Sequence, residues 1–500
     1  MAALARLQNV LRTVAGRATI SSGGQHQMYT SSALVPRVTS SRCSSTGPTN
    51  PTLSVHPESS LCDEVVNIEA NGLSPGQLVT LKAHVYTENG KYRFESRAHY
   101  KADADGKVRV QKDPSLGGSY EGIEPMGLFL AMEPGPEVAH KYPRLVKWDV
   151  TTPFSYTLEL IDGDECQEKV ITSTSAERMF LADYVERIPV KMGEAEGVLF
   201  LPKQRGSSDP LPFLIDIRGL LTNLVVDRAA TLASHGFAVF AFDYFMPRRL
   251  KSQEEHIYMD SQAFLDIIDF VKAHPRLDEN RIGMTSSCYG GAMMLHAATR
   301  LDLPVKCMVA AGFVDILCVN VGWKNLDGSL LEPAGPMSMY LTTWTDENGK
   351  SWLTLKSDTD SENFIDLAKK SQSANFCLEE NLDCPLLLFA HADDHHIPSL
   401  KATTELRDRL EKAGKGHLVE FELLPGTGHF LEVPYQAINT ISSLYDPTTL
   451  QSPKLYLTDF GGSDTKQGTK DQVFAWRKIV NFFRKHLDVK EMYRSDWISS

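Results

Sequence analysis

The segment RIGMTSSCYGG, residues 281–291, constrains the fold of this chain more than any other. Its first half predicts a short buried strand, and its second half predicts a sharp turn that leads into a helix. Cys288 lies at the turn, with Ser286 two positions before it and Gly290 two positions after it. Small residues on both sides of a reactive side chain are typical of a nucleophile elbow, where a strained backbone packs closely against the following helix. The segment therefore predicts a nucleophilic thiol at the end of a strand.

Two later segments each place an acid–base side chain after a predicted strand. Residues 384–394 form an apolar run that ends in Asp393 and Asp394, and a second strand-like run, 418–424, precedes His429. The order Cys, Asp, His, each after a strand, is the chain order of an elbow-type catalytic triad. We therefore predict that the thiol is the nucleophile, that His429 takes its proton, and that Asp394 orients and stabilises the imidazole.

Three alternatives to this triad remain open. Cys288 could be a buried structural thiol, and Ser286 or Ser287 could be the nucleophile, although either serine would lose the glycine at the required offset. The third alternative is a metal site formed by three histidines near the predicted acid, whose spacing fits no common zinc motif. These histidines are His391, His395 and His396.

Length and composition limit the class of protein. A chain of 500 residues exceeds what one hydrophobic core organises, so two domains are predicted. The sequence is 42% hydrophobic and 23% charged, which is typical of globular proteins, and it contains no apolar run long enough to span a membrane. A net charge of −12 argues against a nucleic-acid partner. The eight cysteines contain no CxxC pair, which favours reduced thiols over disulfides.

The N-terminal residues 1–47 predict a mitochondrial transit peptide with a linker. The first acidic residue is Glu58, and the preceding segment carries five arginines and many serines and threonines. Leu4, Leu7 and Leu11 recur at helical spacing. An amphipathic segment that is rich in arginine and serine and poor in acids is typical of mitochondrial import. We therefore predict the mitochondrial matrix, with a disordered tail and a cytoplasmic location as the alternative.

The rest of the chain divides by its hydrophobic period. Residues 50–165 show alternating apolar and polar positions and frequent turn signals, which predict a β-sandwich. Residues 175–488 alternate predicted strands with predicted helices, which implies a parallel sheet covered on both faces. Residues 489–500 form a C-terminal tail. The predicted catalytic residues lie in the second domain. The first domain is therefore expected to support or gate the site.

The chain resembles the family of type I acyl-CoA thioesterases and bile acid-CoA:amino acid N-acyltransferases over roughly residues 50–488. The resemblance is carried by the motifs Gly117–Leu128, Cys288–Gly291, Asp393–His395, Gly426–His429 and Val433–Tyr435. It implies an N-terminal immunoglobulin-like β-sandwich, a C-terminal α/β-hydrolase domain within an α/β fold class, and attack on an acyl-CoA thioester. It also assigns the acid of the triad to Asp394 rather than to Asp393.

The sequence departs from the family pattern at two places. The family's thioesterases usually carry Ser at the elbow and its acyltransferases carry Cys, and this chain has Cys288. The family's glycine-rich loop after the first hydrolase strand is reduced here to residues 218–221. The resemblance implies that the backbone amide of Tyr289 and one from Gly219 or Leu220 receive the oxyanion of the tetrahedral intermediate.

We therefore predict an acyl-CoA thioesterase that releases fatty acid and CoA, with an acyl-CoA:amino acid N-acyltransferase as the alternative. A dienelactone-hydrolase-like enzyme would leave the β-domain unexplained, and a non-catalytic acyl-CoA-binding protein would be expected to have a broken triad. CoA is part of the substrate, so no separate cofactor and no metal are predicted, and the oligomeric state is left open. Three arginines near the sheet edge are candidates for contacts with CoA phosphates, although a solvated surface position is predicted for each. These are Arg218, Arg248 and Arg249.

Overall fold

A computed structural model describes most of the chain between residues 50 and 489. The described ranges are 50–163, 169–203, 209–219, 224–244, 257–315, 321–332, 341–355, 377–445 and 455–489. The predicted transit segment, Leu220, Arg248 and Arg249 lie outside these ranges, as does the predicted tail from residue 490 onward. Within the described ranges, no helix has the length and apolar character that crossing a membrane requires.

The N-terminal region is rich in β-structure. Its strands are β1 (Thr52–His56), β2 (Ser59–Leu61), β3 (Asn67–Asn71), β4 (Leu78–Tyr86), β5 (Arg93–Lys101), β6 (Val108–Arg109), β7 (Glu133–Pro134), β8 (Phe154–Asp162) and β9 (Val170–Met179). They form one sheet of order β1–β3–β6 and another of order β2–β9–β8–β4–β5–β7. The alternating burial along β5 reflects the period of two that predicted strands here. An immunoglobulin-like sandwich remains a prediction.

The following strands complete the chain's sheets. They are β10 (Val185–Met192), β11 (Ala195–Pro202), β12 (Leu211–Ile217), β13 (Ala238–Phe242), β14 (Ile257–Asp260), β15 (Leu277–Ser287), β16 (Val305–Ala311), β17 (Val321–Lys324), β18 (Leu330–Leu331), β19 (Leu341–Thr345), β20 (Ser351–Leu355), β21 (Leu386–His391), β22 (Val419–Leu424), β23 (Ile441–Tyr445) and β24 (Leu455–Asp459). The small sheets have the orders β14–β17–β18 and β19–β20–β24–β23.

The helices of the described residues are fewer than the strands. They are α1 (Gly127–Leu130), α2 (Asp227–Ser234), α3 (Ser261–Ala273), α4 (Tyr289–Arg300), α5 (Ser399–Lys412) and α6 (Thr465–His486), with 3₁₀ turns at Ala139–Lys141, Glu379–Asn381 and Gly416–Leu418. Helix α6 begins at an N-cap, where the Asp464 carboxylate accepts a hydrogen bond from the amide of Gln467. Helix α3 begins in the same way at Asp260.

The central sheet has eight strands in the order β10–β11–β13–β12–β15–β16–β21–β22. Strand β11 pairs antiparallel with both of its neighbours, β10 and β13. The remaining pairs, from β13 to β22, are parallel. Every residue of β12 is buried, as expected for a strand that has a layer on each face. The α/β class is therefore confirmed, and the α/β-hydrolase type of this domain remains a prediction.

Both faces of the central sheet are covered, by different layers. Leu214 of β12 belongs to a buried cluster that continues into the β-rich region, whereas Phe213 and Ile215 belong to the cluster that includes residues of α3, α4 and α5. Alternate residues of one strand thus anchor opposite layers. The N-terminal region consequently packs on the sheet as part of one continuous core.

The topology brings the predicted site residues to one edge of the sheet. Strands β15, β21 and β22 run parallel with β16 between the first two, so their carboxyl ends meet at the same edge. Cys288 directly follows β15, Asp394 follows β21 by three residues, and His429 follows β22 by five. Ligand sites of open α/β sheets lie at this edge.

Candidate active site

Cys288 occupies a strained turn between β15 and α4. Its backbone angles are φ 54° and ψ −135°, a region that residues other than glycine rarely adopt. Its amide donates to the carbonyl of Ala311 at 3.2 Å, and its own carbonyl accepts from the amide of Gly291 at 3.0 Å. The structure thus contains the strand, turn and helix predicted from the sequence, with the thiol held at the turn.

Two glycines allow the backbone to approach this turn closely. A Cβ at Gly290 would lie 2.8 Å from the carbonyl oxygen of Arg218, which is shorter than side chains tolerate. A Cβ at Gly219 would lie 2.5 Å from the Cβ and 2.8 Å from the Sγ of Cys288. Gly219, which follows β12 by two residues, therefore lies against Cys288, where one of the predicted oxyanion amides is expected. Leu220, the other candidate in this loop, lies outside the described residues.

The structure brings Cys288, His429 and Asp394 together. The Cys288 side chain is hydrogen-bonded to His429, and the Nδ1 atom of His429 lies 3.0 Å from Oδ2 of Asp394. The two side chains of this His–Asp pair are almost completely buried, with exposed fractions of 3% and 1%. The second oxygen of Asp394, Oδ1, accepts from the amides of His396 and Ile397 at 2.9 and 3.1 Å. These bonds fix the carboxylate and leave Oδ2 to the imidazole.

Charge stabilises the protonated imidazole. Burial alone lowers the pKa of His429, but attraction to Asp394 and to Cys288 outweighs it and raises the pKa to about 10. Burial alone would raise the pKa of Asp394, but the charge and hydrogen bond of His429 hold it below its ordinary value. An ionised Asp394 next to a protonated His429 is therefore the favoured state at neutral pH.

Tyr289 is the first residue of α4 and directly follows Cys288. The amino end of a helix carries a partial positive charge, which favours a developing anion at this position. The sequence predicts one oxyanion donor at the backbone amide of Tyr289. The other predicted donor lies earlier in the chain, in the loop that contains Gly219.

Two main-chain contacts hold His429 in place. The amide of His429 donates to the carbonyl of Phe460 at 2.7 Å, and the preceding carbonyl, that of Gly428, lies 2.8 Å from Nδ1 of His391. Burial lowers the pKa of His391 to about 4, so this imidazole is neutral and donates through Nδ1–H. His391 is therefore a structural support of the histidine loop.

Aromatic rings surround His429. The ring of Phe460 stacks on it with centroids 5.9 Å apart, and the rings of His396 and Phe430 meet it at 4.7 and 5.2 Å. Burial lowers the pKa of His396 to about 3 and keeps it neutral. Because His396 is neutral, it does not repel the positive charge of the protonated His429.

Asp393 has a different role from Asp394. Its Oδ2 accepts from the amides of Gly462 and Ser463 at 2.9 and 3.0 Å, and its Oδ1 lies 3.1 Å from Nε2 of His395. The other nitrogen of His395 lies 2.9 Å from Asp459. These bonds tie the loop after β21 to the segment after β24. In the described part of the chain, no group of three or more His, Cys, Asp or Glu residues could hold a metal ion.

The predicted solvated position of Arg218 is wrong. Its side chain is only 12% exposed, forms an ion pair with Asp227, and lies 3.8 Å from Glu432. The partner Glu432 is distant in sequence, so no local pattern indicated it. Sequence reasoning also missed Phe460, because a phenylalanine after a strand carries no signal of a contact with His429.

Comparisons with known proteins match nearly the whole described region. The sequence matches the family described as "Acyl-CoA thioester hydrolase/BAAT N-terminal region" over residues 63–192 and that described as "BAAT / Acyl-CoA thioester hydrolase C terminal" over residues 259–489. It is 31% identical to acyl-coenzyme A amino acid N-acyltransferase 2 of Mus musculus over 447 residues, covering 86% of this chain and 96% of that relative.

Two thioesterases show a similar likeness. Mitochondrial acyl-coenzyme A thioesterase 2 of Mus musculus is 32% identical over 454 residues, covering 88% of this chain and 91% of that relative. Acyl-coenzyme A thioesterase 1 of Homo sapiens is 31% identical over 439 residues, covering 87% and 97%.

Proposed function

The chain belongs to the family of acyl-CoA thioesterases and bile acid-CoA:amino acid N-acyltransferases, and we propose that it hydrolyses fatty acyl-CoA through a covalent acyl-enzyme on Cys288. It is an enzyme of acyl-CoA thioester hydrolysis or N-acyl transfer. The observation that carries the proposal is the hydrogen-bonded series from the Cys288 thiol through His429 to Asp394. This arrangement supplies a nucleophile, a base and an orienting acid.

In the proposed acylation step, the Cys288 sulfur attacks the carbonyl carbon of the acyl-CoA thioester while the proton of the Cys288–His429 pair is held by His429. The negative charge that develops on the carbonyl oxygen is stabilised by the amide of Tyr289 and by an amide of the Gly219 and Leu220 loop. The bond to the CoA sulfur then breaks, and His429 returns its proton to the departing CoA thiol. The acyl group is left as a thioester on Cys288.

In the proposed deacylation step, water enters and gives a proton to the neutral His429 as its oxygen attacks the acyl carbon. The same amides stabilise the second oxyanion, the carbon–sulfur bond breaks, and the released sulfur again lies beside the protonated His429. Asp394 remains ionised throughout and stabilises the imidazolium in both steps. The products are a free fatty acid and the original enzyme.

Transfer to an amino acid is the second candidate function, and Cys288 is the observation that favours it. A thioester reacts readily with amines, so an acyl-cysteine intermediate suits amide formation if an amine reaches the site. Relatives of both activities lie at 31–32% identity and do not decide between them. A binding protein without catalysis is disfavoured by the assembled triad geometry.

The deciding experiment incubates the purified protein with palmitoyl-CoA, with and without glycine or taurine, and measures free CoA together with the mass of the product. Hydrolysis predicts palmitic acid whether or not the amine is present, whereas transfer predicts the N-acyl amino acid. The Cys288→Ala variant is expected to lose covalent acylation and turnover while remaining folded. Unchanged turnover in that variant would contradict the assignment of the nucleophile.

We further propose that the enzyme works in mitochondria without a cofactor or metal, with the immunoglobulin-like region 50–165 supporting the catalytic region 175–488. Relatives named as mitochondrial support the location, although another is named as peroxisomal. A fluorescent protein fused after residue 57 tests the leader. Fluorescence in the mitochondrial matrix is expected, and diffuse fluorescence would contradict the proposed import. Loss of turnover when EDTA is added would contradict the proposal that the enzyme needs no metal.

A further inference from the structure

The N-terminal region reaches the histidine loop through one arginine. The Nη2 atom of Arg144 donates to Oε1 of Glu432 at 3.1 Å, and its guanidinium carbon lies 4.0 Å from the ring centre of Phe430. Phe430 directly follows His429 and contacts its ring. The adjacent amide, that of Leu145, donates to the side chain of Asn439 at 3.3 Å. Arg144 thus lies against the segment that carries the base of the triad.

Glu432 extends this contact to the loop beside the nucleophile. Its second oxygen, Oε2, lies 3.8 Å from Nη1 of Arg218. Arg218 is fixed on its other sides, because its guanidinium is paired with Asp227 and its carbonyl accepts from the Tyr244 hydroxyl at 2.7 Å. Arg218 directly precedes Gly219, whose backbone lies against Cys288. The carboxylate of Glu432 therefore contacts Arg144 through one oxygen and Arg218 through the other.

We propose that Arg144 is a positioning residue which, through Glu432 and Phe430, holds the His429 loop and the Gly219 loop in register around Cys288. This inference rests on the proposed function of the triad. It assigns to the β-rich region a specific share in catalysis, since the residue that connects the two loops comes from outside the α/β region. Arg144 itself contacts no reacting atom in this scheme.

The chemistry of the side chains suits this role. The side chains of Arg144, Glu432 and Arg218 are 17%, 10% and 12% exposed, so water screens their attraction only weakly. A planar guanidinium can bond to a carboxylate at its edge while its face covers an aromatic ring, which a lysine ammonium cannot do in the same way. A displacement of about 1 Å in a catalytic group can cost about 100-fold in rate. Small shifts of either loop would therefore be visible in turnover.

The test compares Arg144→Met, Arg144→Lys and the control Arg109→Met in the full-length protein. Arg109 lies in the same region, and its acidic partners, Asp103 and Asp113, also belong to it. For Arg144→Met we expect kcat with palmitoyl-CoA to fall about 10- to 100-fold with KM within about threefold, by the displacement argument. Arg144→Lys is expected to recover part of the loss, and Arg109→Met to stay within about twofold of the unchanged protein.

Alkylation of Cys288 by iodoacetamide separates positioning from general stability. This reaction needs the thiol and His429 but no acyl-CoA, and we expect Arg144→Met to slow it by about three- to tenfold at pH 7. Glu432→Gln should lower kcat similarly, and the double variant with Arg144→Met should be little worse than either single variant. If Arg144→Met does not fold, the same measurements on Arg144→Lys decide.

A folded Arg144 variant with unchanged kcat and unchanged alkylation would overturn the inference. That result is distinct from failure of the proposed function, which Cys288→Ala tests. If Cys288→Ala is inactive while Arg144→Met is unaffected, the nucleophile stands and the positioning role falls. If Cys288→Ala retains turnover, the triad assignment falls, and with it this role of Arg144.

Discussion

At the scale of single residues, the decisive contrast is between two adjacent carboxylates. Asp394 turns one oxygen toward His429 and binds two amides with the other, whereas Asp393 bonds to Gly462, Ser463 and His395. The family resemblance already pointed to Asp394, and the geometry places that residue beside the imidazole. Sequence spacing alone could not separate the two, because both follow the same strand within one residue of each other.

Asp394→Asn is expected to lower kcat by about 10³- to 10⁴-fold, because an amide neither stabilises the imidazolium nor enforces the required tautomer. Steady-state assays with palmitoyl-CoA measure the change. The matched control is Asp393→Asn, which should keep most activity and lose some thermal stability. Equal losses in both variants would contradict the distinct roles of the two carboxylates.

The elevated pKa of His429 also predicts how stability depends on pH. The folded protein holds the imidazole proton up to a pKa of about 10, against an ordinary value of 6.5. The contribution of this group to the free energy of unfolding is therefore complete below about pH 6.5 and is lost progressively as pH rises towards 10. Urea unfolding at pH 7 and 9.5 should show a smaller decrease for His429→Gln than for the unchanged protein. Identical decreases would argue against a protonated His429 in the fold.

At the scale of elements, the regular structure around the site could be predicted, but the connecting loops could not. The run before Cys288, the apolar run that ends at His391 and the run 419–424 are strands, as their patterns indicated. Parallel strands that end at one edge then bring the triad together. The contact of Phe460 with His429 depends instead on a segment after β24 that is not local in sequence. Tertiary packing of this kind leaves no periodic signal.

Gly219→Ala tests the close approach of the loop after β12 to the elbow. The added Cβ would lie 2.5 Å from the Cβ of Cys288, so the loop must shift, and kcat is expected to fall about 100- to 1,000-fold, as for loss of one oxyanion donor. The control is Gly416→Ala, whose Cβ would lie 3.1 Å from the Cγ of Glu411 and at an ordinary 3.5 Å from its Cα. Retained turnover in Gly219→Ala would remove this loop from the proposed oxyanion site.

At the scale of the whole molecule, the β-rich region and the α/β region share buried polar contacts as well as a continuous apolar core. Oδ2 of Asp63 lies 2.6 Å from Nε2 of His235 and accepts from the Trp476 indole at 2.9 Å. Its side chain is completely buried. The sequence predicted two domains from length and period, but it gave no sign that one aspartate would join the N-terminal region to α6.

Asp63→Ala is expected to lower the free energy of unfolding by about 3 kcal/mol, because it removes a buried carboxylate that accepts from the Trp476 indole and lies 2.6 Å from His235. Urea unfolding followed by circular dichroism and by tryptophan fluorescence measures the loss. We expect the two signals to coincide in the unchanged protein, since the core is continuous. Asp105→Ala, at an exposed turn, is the control and should change stability by less than about 0.5 kcal/mol.

Among the described cysteines, Cys288 differs from the rest by being partly exposed, whereas Cys62, Cys307, Cys377 and Cys384 are buried. Burial raises the pKa of each of those four thiols, which makes them slow to react. Peroxide oxidises accessible, thiolate-like sulfur to sulfenic acid. Its partial exposure therefore makes Cys288 the first of these sites to meet an oxidant. A serine at the same turn would be indifferent to redox conditions, whereas the proposed catalysis through sulfur would tie activity to the reducing capacity of the compartment.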